Sequence, residues 1–371
     1  MRLIEIGLDR FRNLRSTSIE IPPQGAVLIG SNGQGKTNFL EAVHYLALFR
    51  SFRGARHGEV IAFGEERFQV TGRVEYDDGA TRRVAVSSDG NARRIAIDGV
   101  AATSPAEAVG SILTVLFSPG DLEIVAGPPA ERRRFMDALL ARSAGRHWRT
   151  IHTHGRALRQ RNEALRARCG ADELEAWDES LIRTGTPLVL ARHDLAGRVD
   201  ALFGDFGARI APDAESGLEL RYRPSVPIED GRAGEAHAVG EAWREALVRR
   251  RELDLRRGWT SVGPHRDDLE LQLGGRPIGS YGSLGQQRTA AIALRLAEAA
   301  ILEAESGHAP VLLLDDVFAE VDADRSRALL PCLGVHRQRF VTSARPLPEL
   351  ETSLEPWEVT EGRIRSFAVA A

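Results

Sequence analysis

The 371-residue sequence has few thiols and no long apolar run. Its two cysteines, Cys169 and Cys332, lie far apart and outside any CxxC pattern, so the sequence predicts neither a disulfide framework nor a zinc site. No segment approaches the roughly 18 apolar residues of a membrane span. The start, MRLIEIGLDRF, also lacks the apolar core of a signal peptide. We therefore expect a cytoplasmic protein that has no membrane partner.

Lysine is the other scarce residue. Among the 49 lysines and arginines, Lys36 is the only lysine. An ammonium is a compact point charge and a guanidinium is a planar fork, so the two are not interchangeable at a tight anion site. One lysine kept in an arginine-rich chain indicates that position 36 needs the compact charge.

Size and composition are those of an ordinary globular protein. The length predicts about two domains, and 43% hydrophobic with 27% charged residues is typical of globular chains. The net charge of −3 argues neither for nor against a nucleic-acid partner. Within residues 131–168, however, eleven arginines stand against three acids, which makes this segment strongly basic.

Residues 30–37 fit the phosphate-loop pattern GxxxxGKT. They follow an apolar strand-like run, 26–29, and precede a helical pattern over 38–49, which is the context that the motif requires. Glycines let backbone N–H groups turn toward phosphate oxygens, and the helix N-terminus adds its positive dipole end. Lys36 is expected to reach the β- and γ-phosphates of ATP, and the Thr37 hydroxyl to bind Mg²⁺. The predicted nucleotide-binding residues are Gly30, Ser31, Asn32, Gly33, Gln34, Gly35, Lys36 and Thr37.

Residues 311–316, VLLLDD, are typical of a buried strand that ends in two carboxylates, the form of a Walker B segment. Asp315 is predicted to hold Mg²⁺ together with Thr37, and Asp316 to orient or deprotonate the attacking water. With Lys36, these aspartates form the predicted catalytic set. Because aspartate is one methylene shorter than glutamate, Asp316 is expected to position water less well. We therefore predict slow ATP turnover, which suits a switch.

Residues 283–288, SLGQQR, precede another helical pattern. A serine hydroxyl and backbone N–H groups at a helix N-terminus form an anion site, although an ordinary N-cap serine gives the same pattern. Together with the two Walker segments, this stretch resembles the signature loop of ABC-type ATPases, which closes on ATP held by a second subunit. The resemblance implies nucleotide contacts from Ser283, Gly285 and Gln286.

The order of these motifs, with a helical insertion between them, is similar to that of SMC-type ATPases, and within that branch the chain resembles the bacterial RecF family. The resemblance spans nearly the whole chain. Its stretches are GSNGQGKTNFLEAVHYLALFRSFR (30–53), FSPGDLEIVAGPPAERRRFMD (117–137), RQRN (159–162), VGPHRDDLEL (262–271), SLGQQR (283–288) and LLLDDVFAEVD (312–322). Gly120, where the family usually has Glu, and Leu284, where Gln is common, depart from the pattern outside the phosphate-binding positions.

The resemblance implies a weak, DNA-stimulated ATPase that uses ATP and Mg²⁺ and forms a homodimer on binding ATP. It also implies binding to single-stranded or gapped DNA and to junctions with double strands. Family members help to load the strand-exchange recombinase with RecO- and RecR-type partners, and are linked to replication restart and the SOS response. By the same analogy, residues 319–322 are the D-loop, and Thr342 and Ser343 are positioned to sense the γ-phosphate.

The predicted fold is α/β. It consists of an ABC/SMC-type P-loop ATPase head, split between 1–115 and 258–371, and a mostly helical lobe, 116–257, with no long coiled coil. Within the head, turn dipeptides between short alternating segments predict a β-meander over 68–97. Within the lobe, residues 128–168 are predicted to form one long arginine-rich helical stretch.

The arginine-rich lobe is the candidate DNA and dimer interface. Guanidinium groups on a helix pair with DNA phosphates without reading sequence. A solvated helix face, or ion pairs across the lobe interface, would explain the same arginines. The candidate DNA contacts are Arg132, Arg133, Arg134, Arg156, Arg159 and Arg161.

Other interpretations stay open at this point. His265 and Arg266 fit either a structural network with Asp267 or a place near the nucleotide. A transporter ATPase subunit fits poorly, since Thr342 stands where its switch histidine would be. A coiled-coil repair ATPase fits poorly because CxxC and long heptads are absent. A scaffold that keeps the phosphate loop without using nucleotide is the third alternative.

Overall fold

The computed structural model describes residues 1–212, 217–226, 235–334, 337–347, 350 and 353–366. The chain divides into two compact units. The first consists of Met1–Asp121 and Glu298–Ala371, and the second of Leu122–Ala297.

The described strands include the predicted apolar run over 26–29, the predicted meander over 68–97 and the predicted buried strand within 311–316. The strands are β1 (Arg2–Asp9), β2 (Thr17–Glu20), β3 (Gly25–Ile29), β4 (Phe68–Glu75), β5 (Thr81–Ser88), β6 (Arg93–Ile97), β7 (Val100–Ala101), β8 (Thr114–Phe117), β9 (Leu218–Arg223), β10 (Asp268–Leu273), β11 (Arg276–Pro277), β12 (Val311–Leu314), β13 (Arg339–Ser343), β14 (Glu355–Thr360) and β15 (Arg363–Ser366).

The described α-helices range from single turns to 40 residues. They are α1 (Lys36–Leu48), α2 (Pro105–Ala108), α3 (Leu122–Val125), α4 (Pro129–Ser143), α5 (Gly145–Ala167), α6 (Ala171–Ile210), α7 (Ala236–Arg257), α8 (Ile278–Tyr281), α9 (Leu284–Ser306), α10 (Val317–Glu320) and α11 (Ala323–Cys332). None of the described helices is both long enough and apolar enough to cross a membrane.

The first unit contains two sheets with α1 packed against both. One sheet has the order β15-β14-β3-β13-β12-β8, and its strands from β14 to β8 pair in parallel. β8 and β12 are buried at every position, which explains the unbroken apolar sequence of β12 and the apolar run after Thr114 in β8. The other sheet is antiparallel, with the order β2-β1-β4-β5-β6-β7, and contains the predicted meander.

The second unit is built on α5, α6 and α7, which pack on one another, and on a sheet of order β11-β10-β9. Trp243 of α7 is fully buried in its core. A Cβ at Gly185 of α6 would lie 2.3 Å from Trp243 Cη2, so only glycine allows α6 to approach the indole this closely.

Two sequence-based expectations differ from the structure. Residues 128–168 form two helices rather than one, because Ala144 takes an extended conformation (φ −153°) between α4 and α5. The compact units also divide the chain differently from the predicted 1–115, 116–257 and 258–371, since residues 258–297 group with the insertion, where β10 pairs with β9. The functional roles given to those predicted domains stay predictions.

Candidate nucleotide site

The predicted phosphate loop connects the end of β3 to the first residue of α1. Its glycines are structurally required at two points: Gly35 has φ +117°, and a Cβ at Gly30 would lie 2.3 Å from the carbonyl oxygen of Val359. Gly35 is also the N-cap residue of α1. The backbone N–H groups at the start of α1 therefore lie at the end of this loop, which is the arrangement that binds phosphate.

Lys36 is the first residue of α1, and only 4% of it is exposed. Its Nζ donates hydrogen bonds to the carbonyl oxygens of Gly30 (2.7 Å) and Ser31 (3.2 Å). The ammonium is thus held across the loop by two of the loop's own oxygens. A phosphate bound in this loop would meet a preorganised charge, as the sequence predicts.

The predicted metal ligands lie together. Thr37 Oγ1 and Asp315 Oδ1 are 2.9 Å apart, and Asp315 stands at the end of β12, almost fully buried. Burial raises the pKa of the Asp315 carboxyl, and hydrogen bonds from Thr37 and Thr342 act in the opposite direction. A hydroxyl and a carboxylate are the hard oxygen donors that Mg²⁺ takes beside phosphate. These residues fit a Mg²⁺ ion, which would neutralise phosphate charge.

Asp316 follows directly and is half-buried, in the left-handed conformation (φ 53°), as the N-cap of α10. Its backbone N–H donates to Thr342 Oγ1 at 2.9 Å, and the Thr342 hydroxyl donates to Asp315 Oδ1 at 2.9 Å. Thr342 therefore fixes both aspartates relative to each other. Its predicted role as a γ-phosphate sensor, shared with Ser343, stays a prediction.

Asn13 braces the loop, and the sequence analysis missed it. Its Nδ2 donates to the carbonyl oxygen of Gly33 (3.1 Å), and its Oδ1 accepts from Asn38 Nδ2 (2.7 Å). The turn after β14 holds the loop as well, because Glu361 N–H donates to Gln34 Oε1 (2.7 Å). Asn13 lies about 20 residues before the loop, outside any motif spacing. The only local signal was the polar pair Arg12-Asn13 shortly after β1.

A buried ion pair between Glu41 of α1 and Arg12 was also missed. Glu41 is fully buried and accepts two hydrogen bonds from Arg12, both 2.8 Å long. Ser51 donates to the same carboxylate, and Arg53 Nη1 lies 3.8 Å from it. This cluster joins three separate segments of the chain beside the phosphate loop.

An open cavity of about 1080 Å³ adjoins the loop, with Asn13 and Asn38 in its wall. Arg10, Arg15 and Phe63 are also among its lining residues, and the Phe63 ring is fully exposed. A fully exposed phenylalanine beside guanidinium groups is a natural stacking surface for a nucleobase.

The predicted signature loop lies at the start of α9, in the second unit. Ser283 N–H donates to Gln286 Oε1 (2.8 Å), and Gln286 N–H donates to Ser283 Oγ (3.3 Å), so the two form a capping box. Ser283, Leu284 and Tyr281 are exposed, while Gly285 is half-buried. The capping geometry fits both interpretations of Ser283, and its exposure leaves the loop accessible to a second subunit.

One predicted DNA contact is corrected by the structure. Arg161 is 0% exposed, and its guanidinium donates to Asp178 (2.6 Å), Asp254 (3.0 Å) and the Thr260 hydroxyl (2.9 Å). A buried arginine paired with two buried aspartates has no access to DNA phosphates. The acids, 17 and 93 residues away in the sequence, gave no local signal of this pairing.

The other predicted arginines fall into three groups. Arg132 makes a two-bond ion pair with Asp268 (2.8 and 3.0 Å), and Arg133 donates to the carbonyl oxygen of Asp267, so both hold the second unit together. Arg134 is exposed but paired with Glu131. Arg156 and Arg159 lie on α5 and are exposed without an ion pair among the described residues.

We expect Arg161→Gln to lower the free energy of unfolding of this unit by about 3–5 kcal/mol, because two aspartates would stay buried with less compensation. Denaturant titration followed by tryptophan fluorescence measures this, since four of the five tryptophans lie in the second unit. Arg156→Gln, on the exposed face of the same helix, is the matched control and should change the value by less than about 0.5 kcal/mol. Equal effects of both changes would contradict the structural role of Arg161.

His265 and Asp267 both make polar contacts within the second unit. His265 Nε2 donates to the carbonyl oxygen of Thr260 (2.9 Å), and desolvation lowers its pKa to about 4. Asp267 is buried and accepts from the Ser225 N–H (2.7 Å) and from Arg192 (3.3 Å). The contact of His265 supports a structural role for this residue, whereas Arg266, the other residue of the predicted network, is exposed.

Comparison with known proteins identifies the family of this arrangement. A profile described as the RecF/RecN/SMC N-terminal domain matches residues 2–352. The DNA replication and repair protein RecF of Myxococcus xanthus is 37% identical over 340 residues, covering 90% of this chain and 88% of that protein. Its counterpart from Anaeromyxobacter dehalogenans strain 2CP-1 is 40% identical over 356 residues and 92% of each chain.

Solved structures agree with the sequence comparison. The recombination mediator protein RecF with ATP, from the RecFOR pathway, superimposes with a TM-score of 0.90 and 32% identity over 99% of this chain and 97% of that one. An SMC head bound to a domain of ScpA has a TM-score of 0.57 at 14% identity, covering 100% of this chain and 98% of that one, which supports the fold alone. The predicted ABC/SMC-type ATPase fold is confirmed.

Proposed function

The chain belongs to the RecF family, and on this premise we propose that it is an ATP-gated, DNA-binding dimer of recombinational repair. ATP binding brings two chains together, and slow hydrolysis releases them. The protein thereby acts as a switch that aids recombinase loading with RecO- and RecR-type partners. Links to replication restart and SOS induction belong to the same proposal. The comparisons support the coarser statement, that of a RecF-type protein with an ATPase fold.

The observation that carries this proposal is the joining of distant motifs at one point. Thr37 and Asp315 are 278 residues apart in sequence and share a hydrogen bond beside the buried ammonium of Lys36. A chance glycine-rich turn would not require a carboxylate from a segment so far away in the sequence. The residues fit ATP and Mg²⁺ together, and the exposed loop at Ser283 supports closure by a second chain.

Coupling between ATP and DNA tests the function. Fluorescence anisotropy would measure the affinity of the full chain for a gapped duplex with Mg²⁺ alone and with Mg²⁺ and a non-hydrolysable ATP analogue. We expect the analogue to tighten DNA binding about tenfold or more, and DNA to tighten analogue binding by the same factor, since coupling free energies are reciprocal. A DNA affinity that stays the same with and without the ATP analogue would refute the proposed gating.

The base of ATP is expected to stack on Phe63 in the adjoining cavity. Since stacking of a base on an aromatic ring contributes about 1–3 kcal/mol, Phe63→Ala should raise the dissociation constant for ATP roughly tenfold. Isothermal calorimetry would compare ATP with inorganic tripolyphosphate. The change should weaken ATP binding and leave tripolyphosphate unaffected. Equal weakening of both ligands would show that Phe63 supports the loop rather than the base.

A further inference from the structure

The exposed charges of α5 are almost all positive. Its exposed arginines, with the one directly after the helix, are Arg146, Arg149, Arg156, Arg159, Arg166 and Arg168. Glu163 is the only acid of this helix. Among the residues that the structure describes, none of these six arginines has an ion pair. We call this set of six the α5 basic face.

Among the other exposed arginines of the same unit, some have an ion pair, and others, such as Arg183, Arg250 and Arg276, have none among the described residues. Arg244 is paired with Glu179 and Glu241, and Arg249 with Glu245. A solvated helix usually shows such alternation of signs, because like charges three or four residues apart destabilise a helix by a few tenths of a kcal/mol. The α5 basic face carries that cost at Arg146–Arg149 and Arg156–Arg159, and no ion pair with a described residue offsets it.

Four of these arginines also lie in a line along one side of α5. Positions 149, 156, 159 and 166 are separated by seven, three and seven residues, which places them on one side of a helix. At 1.5 Å per residue, this line is about 26 Å long. This length corresponds to seven or eight phosphates along one strand of B-DNA, at about 3.4 Å each.

The aromatic residues on α5 favour double-stranded over single-stranded DNA. Proteins that bind single strands without sequence preference need free aromatic rings on which bases stack. Trp148 and His152 of α5 pack instead against each other, with ring centroids 4.0 Å apart and ring planes tilted by 40°. The face therefore offers guanidinium groups that suit a phosphate backbone and no free stacking platform.

We propose that the α5 basic face is the surface on which this protein docks the phosphate backbone of duplex DNA, without reading its sequence. The inference rests on the proposed DNA-binding function and assigns it a surface and a form of DNA. The predicted DNA contacts are then the exposed arginines of the α5 basic face, and no longer the buried Arg161 or the paired Arg132 and Arg133.

The test uses the full chain with Mg²⁺ and a non-hydrolysable ATP analogue. Anisotropy would measure binding to a labelled blunt duplex and to a single strand of equal length, at several salt concentrations. The test variant combines Arg149→Gln, Arg156→Gln and Arg159→Gln. The matched control combines Arg67→Gln, Arg82→Gln and Arg83→Gln, which remove the same charge from exposed positions of the first unit. ATP affinity and thermal midpoint would confirm that both variants are folded.

We expect the α5 variant to lose duplex affinity by at least tenfold. The slope of log K against log salt should become shallower by about 3, since each lost phosphate contact contributes about 0.9. The control should bind like the wild type. An α5 variant with wild-type affinity and slope, a control that loses as much, or a loss confined to the single strand would each overturn the inference. A wild type that binds no DNA would instead refute the proposed function.

Discussion

Lys36→Ala is expected to raise the dissociation constant for ATP on the order of 100-fold or more. Lys36 supplies the only lysine ammonium of the chain, held across the phosphate loop by the carbonyl oxygens of Gly30 and Ser31. Hydrogen bonds to charged groups contribute about 1.5–3 kcal/mol each, and the side chain is expected to reach two phosphates. Calorimetric titration with Mg²⁺ and ATP measures the loss directly. Dimerisation and ATP-dependent DNA binding should disappear with it.

Lys36→Arg is the charge-conserving control. A planar guanidinium cannot reproduce the compact charge in a position that is only 4% exposed, so this variant should also lose most of its affinity. Near-normal binding by Lys36→Arg would show that charge alone is required. Unchanged DNA activities in Lys36→Ala would support the nucleotide-independent scaffold that the sequence left as an alternative.

Asp316→Asn is expected to slow ATP hydrolysis on the order of 100-fold while leaving ATP binding nearly intact. The amide keeps the shape of the side chain but cannot accept a proton from water, and such proton transfers contribute about 10²–10⁴-fold. Asp315 and Thr37 hold the predicted metal position and are not altered. Single-turnover phosphate release and ATP affinity would be measured on the same sample. ATP-dependent dimers should persist longer in this variant.

Asp316→Glu tests the reason for the predicted slow turnover. The longer carboxylate would reach further from the N-cap position of α10 toward the attacking water. We expect hydrolysis to be faster than in the wild type, with unchanged ATP affinity. A strong loss of hydrolysis in both Glu and Asn variants would mean that this site is fitted to the length of aspartate. Unchanged hydrolysis in Asp316→Asn would exclude a role for Asp316 in activating water.

The Walker segments could be predicted because their signals are local. An apolar run, a glycine-rich turn and a helical pattern stand side by side in the sequence around Lys36, and each corresponds to a contiguous element in the structure. The pairing of Thr37 with Asp315 could be predicted from the expectation that both motifs bind the same nucleotide. The meander over 68–97 followed equally well from apolar alternation and turn residues, whereas β14 and β15 were not predicted.

The remaining site residues depend on contacts between distant segments. Asn13 supports the loop from 20 residues away, and Glu41 is buried only because Arg12 and Ser51 fold over it. The same limit explains the wrong prediction for Arg161. It was assigned to DNA because the local sequence does not show that Asp178 and Asp254 pair with it. The number of arginines in a segment does not tell which of them are buried in ion pairs and which are exposed. Only their burial in the structure distinguishes the two.

We propose that ATP joins two chains through the loop at Ser283. Light scattering would give the molar mass of the wild type and of Ser283→Arg, with and without Mg²⁺ and ATP, and with and without a short gapped duplex. We predict that only the wild type with ATP reaches twice the monomer mass, and that DNA strengthens its dimer. A mass that is indifferent to nucleotide in both proteins would contradict the gated dimer and favour a scaffold.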